Sequence, residues 1–144
     1  MSFFDSIDIA ASGLTAERVR MDVTAENLAN AQTTQGANGQ PYQRQEVVLQ
    51  QAGGFGATLQ AAMDNAPAPS GVQVDGIVSD PTPDQEVYDP GNPAANQQGY
   101  VKMPNVSTVE EMTDMIDESR SYDADVTAMS TAKDMYTKTL ELLK

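Results

Sequence analysis

The stretch from Thr108 to Lys144 contains neither proline nor glycine, the two residues that interrupt helices most strongly. Set on a seven-residue repeat, one column reads Met112, Ser119, Val126, Lys133 and Leu140. The other reads Met115, Tyr122, Met129, Tyr136 and Leu143. Only Ser119 and Lys133 break the run of apolar and aromatic residues. A period of about 3.5 residues held this long predicts a helix with a coiled-coil seam. Pro104 blocks helix upstream, and Thr108 followed three residues later by Glu111 predicts a capping box. At about 1.5 Å per residue such a helix runs roughly 55 Å. A helix with one apolar face draws most of its stability from a partner.

The other end of the chain offers one. Ile7, Leu14, Met21 and Leu28 are spaced seven apart, and the neighbouring column of Phe4, Ala11, Arg18 and Ala25 is small or apolar except for Arg18. Between Ser2 and Asn30 there is no proline, and Gly13 is the single glycine. Asp5 and Asp8 suit the positive end of a helix dipole. Arg18 and Lys133 interrupt the two stripes. Each is expected to reach a carboxylate or extend to water, because a buried unpaired cation is costly. The expected fold is mainly α. Residues 1–34 and 105–144 form long terminal helices that pair as a coiled coil, and residues 35–104 form a small β-rich insert between them.

Helical character fades after Asn30. Ala31 to Pro41 is a loop by composition, and Tyr42 to Gln50 reads as a strand ended by the glycines from Gly53. Phe55 to Met63 reads as a short helix or an irregular flap. Gly71 to Ser79 reads as a strand with a bulge near Gly76. Asp80 to Asp84 is a turn, Glu86 to Tyr88 a brief strand, Asp89 to Gly99 a run of turn-formers and amides, and Tyr100 to Met103 the last strand.

Aromatic residues make up 6% of the chain and tryptophan is absent, so burial is expected along the helical seam or against other subunits. The net charge of −13 is spread along the chain. It argues against nucleic acid, which needs a basic face, and against an anionic membrane surface. No stretch approaches the roughly 20 apolar residues of a membrane span. The acidic start is not expected to act as a secretory signal. With no cysteine and no histidine, thiolate and imidazole chemistry is excluded, and neither a phosphate loop nor a dinucleotide fingerprint is present. The cluster Asp80, Asp84, Glu86 and Asp89 lacks the alternating pattern of a calcium loop and reads as turn-forming Asp beside Pro. Asn105-Val-Ser107 matches a glycosylation acceptor but reads as the polar approach to a helix cap. No catalytic, cofactor or metal residue is therefore expected.

Two motifs carry a resemblance. The first runs Ala11-Ser-Gly-Leu-Thr-Ala-Glu-Arg18, through Met21 and Val23, to Asn27-Leu28-Ala29-Asn30 and Thr33-Thr34. The second is Val87-Tyr-Asp-Pro-Gly-Asn-Pro93 with Gly99 to Val106, followed by Glu110-Glu-Met112, Ser119-Arg-Ser-Tyr122 and Thr131-Ala-Lys133. Together they cover about two thirds of the chain, which is similar to the bacterial flagellar rod and hook proteins. The resemblance implies a structural subunit of the proximal rod, exported unfolded by the flagellar type III apparatus and stacked helically into the shaft that crosses the periplasm. It implies self-association, other rod proteins, the junction protein between rod and membrane ring, and the export apparatus as partners. The short insert suits a proximal-rod protein. The departures from the family pattern are the acidic Asp84, Glu86, Glu118 and Asp125, with the neutral Gln85 between the first two. An alternative reading of the same helices is an acidic secreted adaptor or chaperone-like module.

The apolar columns read equally as a seam within the chain or as a face toward other subunits. Asn27 and Asn30 read as helix-end amides or as inter-subunit contacts.

Overall fold

The computed structural model describes residues 3–36, 38–53, 59, 63 and 71–142, with backbone alone for Phe3 and Phe4. The Phe4 side chain, Leu143, and most of the Phe55–Met63 segment lie outside the described residues. Helix α1 spans Phe3–Asn30, strand β1 Gln45–Gln51, strand β2 Val72–Ser79, strand β3 Gln85–Tyr88, strand β4 Tyr100–Met103 and helix α2 Thr108–Glu141. Two long helices thus bracket two small antiparallel sheets, β1 with β2 and β3 with β4.

The β1–β2 register slips between Val48 and Leu49, which face Gly76 and Val74, so Asp75 is the extra residue of a bulge. The β3–β4 turn is closed by side chains. Asp89 Oδ1 accepts from Gly91 N at 3.2 Å, Asn92 Oδ1 from Ala94 N at 3.0 Å, and Asn96 Oδ1 from Gln98 N at 2.9 Å and Tyr100 N at 3.0 Å. Gly99 sits at φ +84°, and a Cβ there would lie 2.8 Å from the Tyr88 ring. That ring packs edge-on against Tyr100 with centroids 5.3 Å apart.

Helix α2 starts one residue earlier than the capping-box reading placed it. Ser107 is the N-cap, and its hydroxyl accepts from Glu110 N at 3.5 Å. Glu111 is left free of the cap and turns inward.

The helices pack antiparallel, since Asn27 meets Glu111, Thr24 meets Glu118 and Gly13 meets Asp125. The packed stripe of α2 differs from the apolar heptad in one column. Met115, Tyr122 and Met129 are half-buried as a seam requires. The companion column is Glu111, Glu118, Asp125 and Ala132, one position before Met112, Ser119, Val126 and Lys133. Met112, Val126 and Leu140 are exposed, as are Ser119 and Lys133. As a surface against α1, the Met112 column is therefore corrected. The facing residues of α1 are small or polar and select carboxylates in place of methionine and valine.

On α1 the most buried side chains are Ala16, Val23, Thr24 and Asn27. Ile7, Ala11, Leu14, Met21 and Leu28 are half-buried at the flank, and Ala25 and Arg18 are exposed. Gly13 permits the close approach, because a Cβ there would lie 2.6 Å from Asp125 Oδ2. Among the described residues the buried apolar side chains are few and mostly small: Ala16, Val23, Ala31, Val101, Val106 and Ala132.

Candidate functional site

The densest chemistry lies where α1, the start of β1 and the first turns of α2 meet. Asn27 is 1% exposed, and all four of its amide hydrogen-bonding positions are engaged. Its Nδ2 donates to Gln45 O at 2.8 Å and to Glu111 Oε2 at 3.0 Å. Its Oδ1 accepts from Gln45 N at 2.9 Å and from the Tyr42 hydroxyl at 2.9 Å. The amide therefore pairs with Gln45 as a neighbouring strand would, and fastens β1 to both helices. Neither sequence reading of Asn27 anticipated this role. Asn30 does serve the helix end: its Nδ2 donates to Glu26 O at 3.0 Å, and its Oδ1 accepts from Thr33 Oγ1 at 3.2 Å. Within the same motif Leu28 is half-buried and Ala29 exposed.

Arg44 fills the other side of the junction. Its Nε donates to Glu111 Oε1 at 2.6 Å, its Nη2 to Asp114 Oδ2 at 3.3 Å and its Nη1 to Glu46, with Asp80 Oδ2 at 3.9 Å. Both oxygens of the buried Glu111 are thus used, one by Arg44 and one by Asn27. Burial works against the Arg44 charge, but its hydrogen bond and attraction to Glu111 prevail and raise its pKa. Burial, together with the charges of Glu26 and Glu111, pushes the Tyr42 phenol up to about 12. Asn105 ties in the insert: its Oδ1 accepts from Arg44 N at 2.8 Å, and its Nδ2 donates to Thr82 Oγ1 at 2.8 Å and Thr82 O at 3.2 Å. Asp80 closes a turn by accepting from Thr82 N at 2.8 Å, and that backbone bond lowers its pKa.

One turn pair further along, Glu118 is 4% exposed. Its Oε1 accepts from Thr24 Oγ1 at 3.1 Å and lies 3.5 Å from Arg20 Nε. Burial raises its pKa, partly offset by the Thr24 hydrogen bond and the Arg20 charge. Arg20 also pairs with Glu17 at 3.2 Å. Two acidic departures from the family pattern, Glu118 and Asp125, therefore lie between the helices.

Sequence reasoning passed over Arg44, Arg20, Thr24 and Glu111 as site residues. A signal was present: Gly13, Arg20 and Asn27 are seven apart, and so are Glu111, Glu118 and Asp125. The residues expected to form an apolar interface fall elsewhere. Met115, Tyr122 and Met129 line the seam, while Met112, Val126, Tyr136 and Leu140 are exposed along α2. Val109, Ile116 and Met135 are exposed on α2 as well. Among the described residues no carboxylate group is arranged to hold a metal ion, and no helix is long and apolar enough to cross a membrane.

The two segments that meet at this junction are also those matched by known families. Residues 7–38 match the flagella basal body rod protein family, and residues 97–142 match the C-terminal family of flagellar basal body rod FlgEFG proteins. Over its whole length the chain is 45% identical to the flagellar basal-body rod protein FlgC of Bacillus subtilis, all of which is covered. It is 44% identical to FlgC of Escherichia coli O157:H7, over 99% of this chain and 98% of that one. The FlgC of Aquifex aeolicus is 37% identical over 100% of this chain and 99% of its own. The chain belongs to the FlgC family. It is a structural subunit of the flagellar basal-body rod and not an enzyme. In this FlgC-family chain the polar junction joins the two matched segments, residue Asn27 of one to Glu111 of the other. What it does is hold the terminal helices and the insert in one fixed relation.

Proposed function

We propose that the chain is a proximal-rod subunit whose terminal helices pair as a coiled coil and whose outward apolar column docks on neighbouring subunits. Its partners are further copies, other rod proteins and the junction protein of the membrane ring. It reaches them unfolded through the flagellar type III apparatus. The observation that carries this reading is the exposure of Met112, Ile116, Val126 and Leu140 along one side of α2 in a strongly acidic chain. A surface like this is characteristic of an interaction face. Met112 in it tolerates slightly different packing around a helical assembly.

The test is Val126→Ser combined with Leu140→Ser. Val126 and Leu140 are each a little under half exposed, and burying what remains is worth roughly 1–3 kcal/mol before ordering costs. Cells carrying the double variant should not swim, and immunoblots should find the protein in the periplasm but not in purified basal bodies. Normal swimming with normal incorporation would overturn the docking role.

A further inference from the structure

A polar cavity of about 170 Å³ opens between α1, β1 and α2. Its charged lining is Arg20, Arg44, Glu46, Glu111, Asp114 and Glu118, four carboxylates facing two guanidinium groups. Both oxygens of Glu111 are spoken for, and Arg20 and Arg44 are committed to the carboxylates already described. Glu118 is 4% exposed, yet among the described residues its Oε2 has no hydrogen-bond partner. A buried carboxylate oxygen left unpaired is costly, so this cavity lacks a donor. Asp114 and Glu46, with side chains 47% and 51% exposed, form its rim.

We propose that this cavity is the acceptor for an ammonium side chain of a second copy of the chain, supplied by Lys133 or Lys138 in the second half of that copy's α2. The inference rests on the rod reading above and names the partner group that this site takes. The carboxylates do not converge as a metal cage would. A lysine, with three donors on a long flexible stem, suits separated acceptors better. The chain itself carries the complement. The first half of α2 is acidic, with seven carboxylates against Arg120 from Glu110 to Asp125, whereas from Val126 to Glu141 Lys133 and Lys138 balance Asp134 and Glu141. Both lysines are exposed and have no ion pair among the described residues. Copies carrying −13 each repel one another least where the neutral half of one α2 meets the acidic half of the other. A staggered contact, the lysine-bearing end of one α2 against the acidic start of the next, meets that requirement and gives Glu118 a donor.

The cross-link that tests this cannot form within one chain. Lys133 lies about 28 Å along the helix from Asp114 at ~1.5 Å rise per residue. Purified basal bodies are treated with a zero-length carbodiimide, which joins lysine to carboxylate, and the linked peptides are read by mass spectrometry. The expected result is a link from Lys133 or Lys138 to Asp114, Glu46 or Glu118. Its yield should fall several-fold in basal bodies built with Glu118→Gln. Links from these carboxylates only to lysines of another protein would overturn the second copy as the source. So would links elsewhere in the chain with none at the cavity rim, or a yield that Glu118→Gln leaves unchanged. Absence of the chain from basal bodies would instead overturn the rod reading itself.

Discussion

The two ends of α2 are built on opposite terms. Near Glu111 the helix is held by buried, directional bonds: Asn27, Arg44 and the Ser107 cap each reach a named atom. Beyond Val126 it exposes Met135 and Leu140 to water, and Ala132 is its one buried residue among those described. The first arrangement completes itself within one chain. The second is apolar surface with no cover among the described residues. A rod subunit needs both, a fixed junction so that every copy has the same shape and a surface left for the neighbour. Directional bonds specify a single geometry, whereas apolar area is indifferent to its exact partner.

Removing a charge from the junction should have the largest effect. Arg44→Ala leaves the Glu111 carboxylate buried without its guanidinium, and breaking a buried pair in this way costs about 3–5 kcal/mol. Urea unfolding of the purified chain, followed by circular dichroism, measures it. A loss below about 1 kcal/mol, the scale of a surface pair, would erase the contrast between the two ends.

Asn27→Ala comes next. It strands the Gln45 backbone and the Tyr42 hydroxyl in buried surroundings, and a loss of about 2–3 kcal/mol is expected from the unpaired groups. Amide exchange on this variant should accelerate through β1 and the start of α2, and change little beyond Val126. Uniform acceleration along α2 would mean that its two ends are not held separately.

Glu118→Gln should act in the other direction. The pKa of Glu118 is raised above the ordinary 4.5 by burial. The folded chain therefore holds this proton more tightly than the unfolded chain does. The stability gained from protonation is complete below the unfolded value and is lost as pH rises through the folded one, so at neutral pH the charged form is a burden. The neutral amide should raise the melting temperature of the isolated chain at pH 7, and the gain should vanish as pH falls to about 4. A variant less stable at both values would show that Arg20 and Thr24 outweigh the burial of the charge.

The smallest effect belongs to the exposed end. Leu140→Ser alone should change the stability of the isolated chain by no more than about 0.5 kcal/mol, because an exposed position has little to lose. A larger loss would mean that Leu140 already packs within its own chain.

Much of this molecule could be read from residue order. Freedom from proline, with Gly13 the single glycine, marks both helices, Asp and Asn beside Pro and Gly mark the turns, and Gly76 marks the bulge. Met115, Tyr122 and Met129 were legible as seam residues because periodicity is a local property of helix geometry. The polar half of the seam was not, because hydrophobic patterning is blind to a carboxylate that finds a partner. Arg44 was the least visible. It lies just before a strand of the insert, far along the chain from Glu111 and Asp114.

Local geometry thus settled which residues share a face: the spacing of seven places Glu111, Glu118 and Asp125 in one column and Met112, Val126 and Leu140 in the next, whatever the rest of the chain does. Only the tertiary structure decided which of those two columns turned inward. The choice rests on complementarity across the helix pair, where Gly13 leaves room for Asp125, Thr24 and Arg20 meet Glu118, and Asn27 meets Glu111. A carboxylate supplied with donors can be buried, while a methionine facing an amide and a guanidinium would leave both unsatisfied.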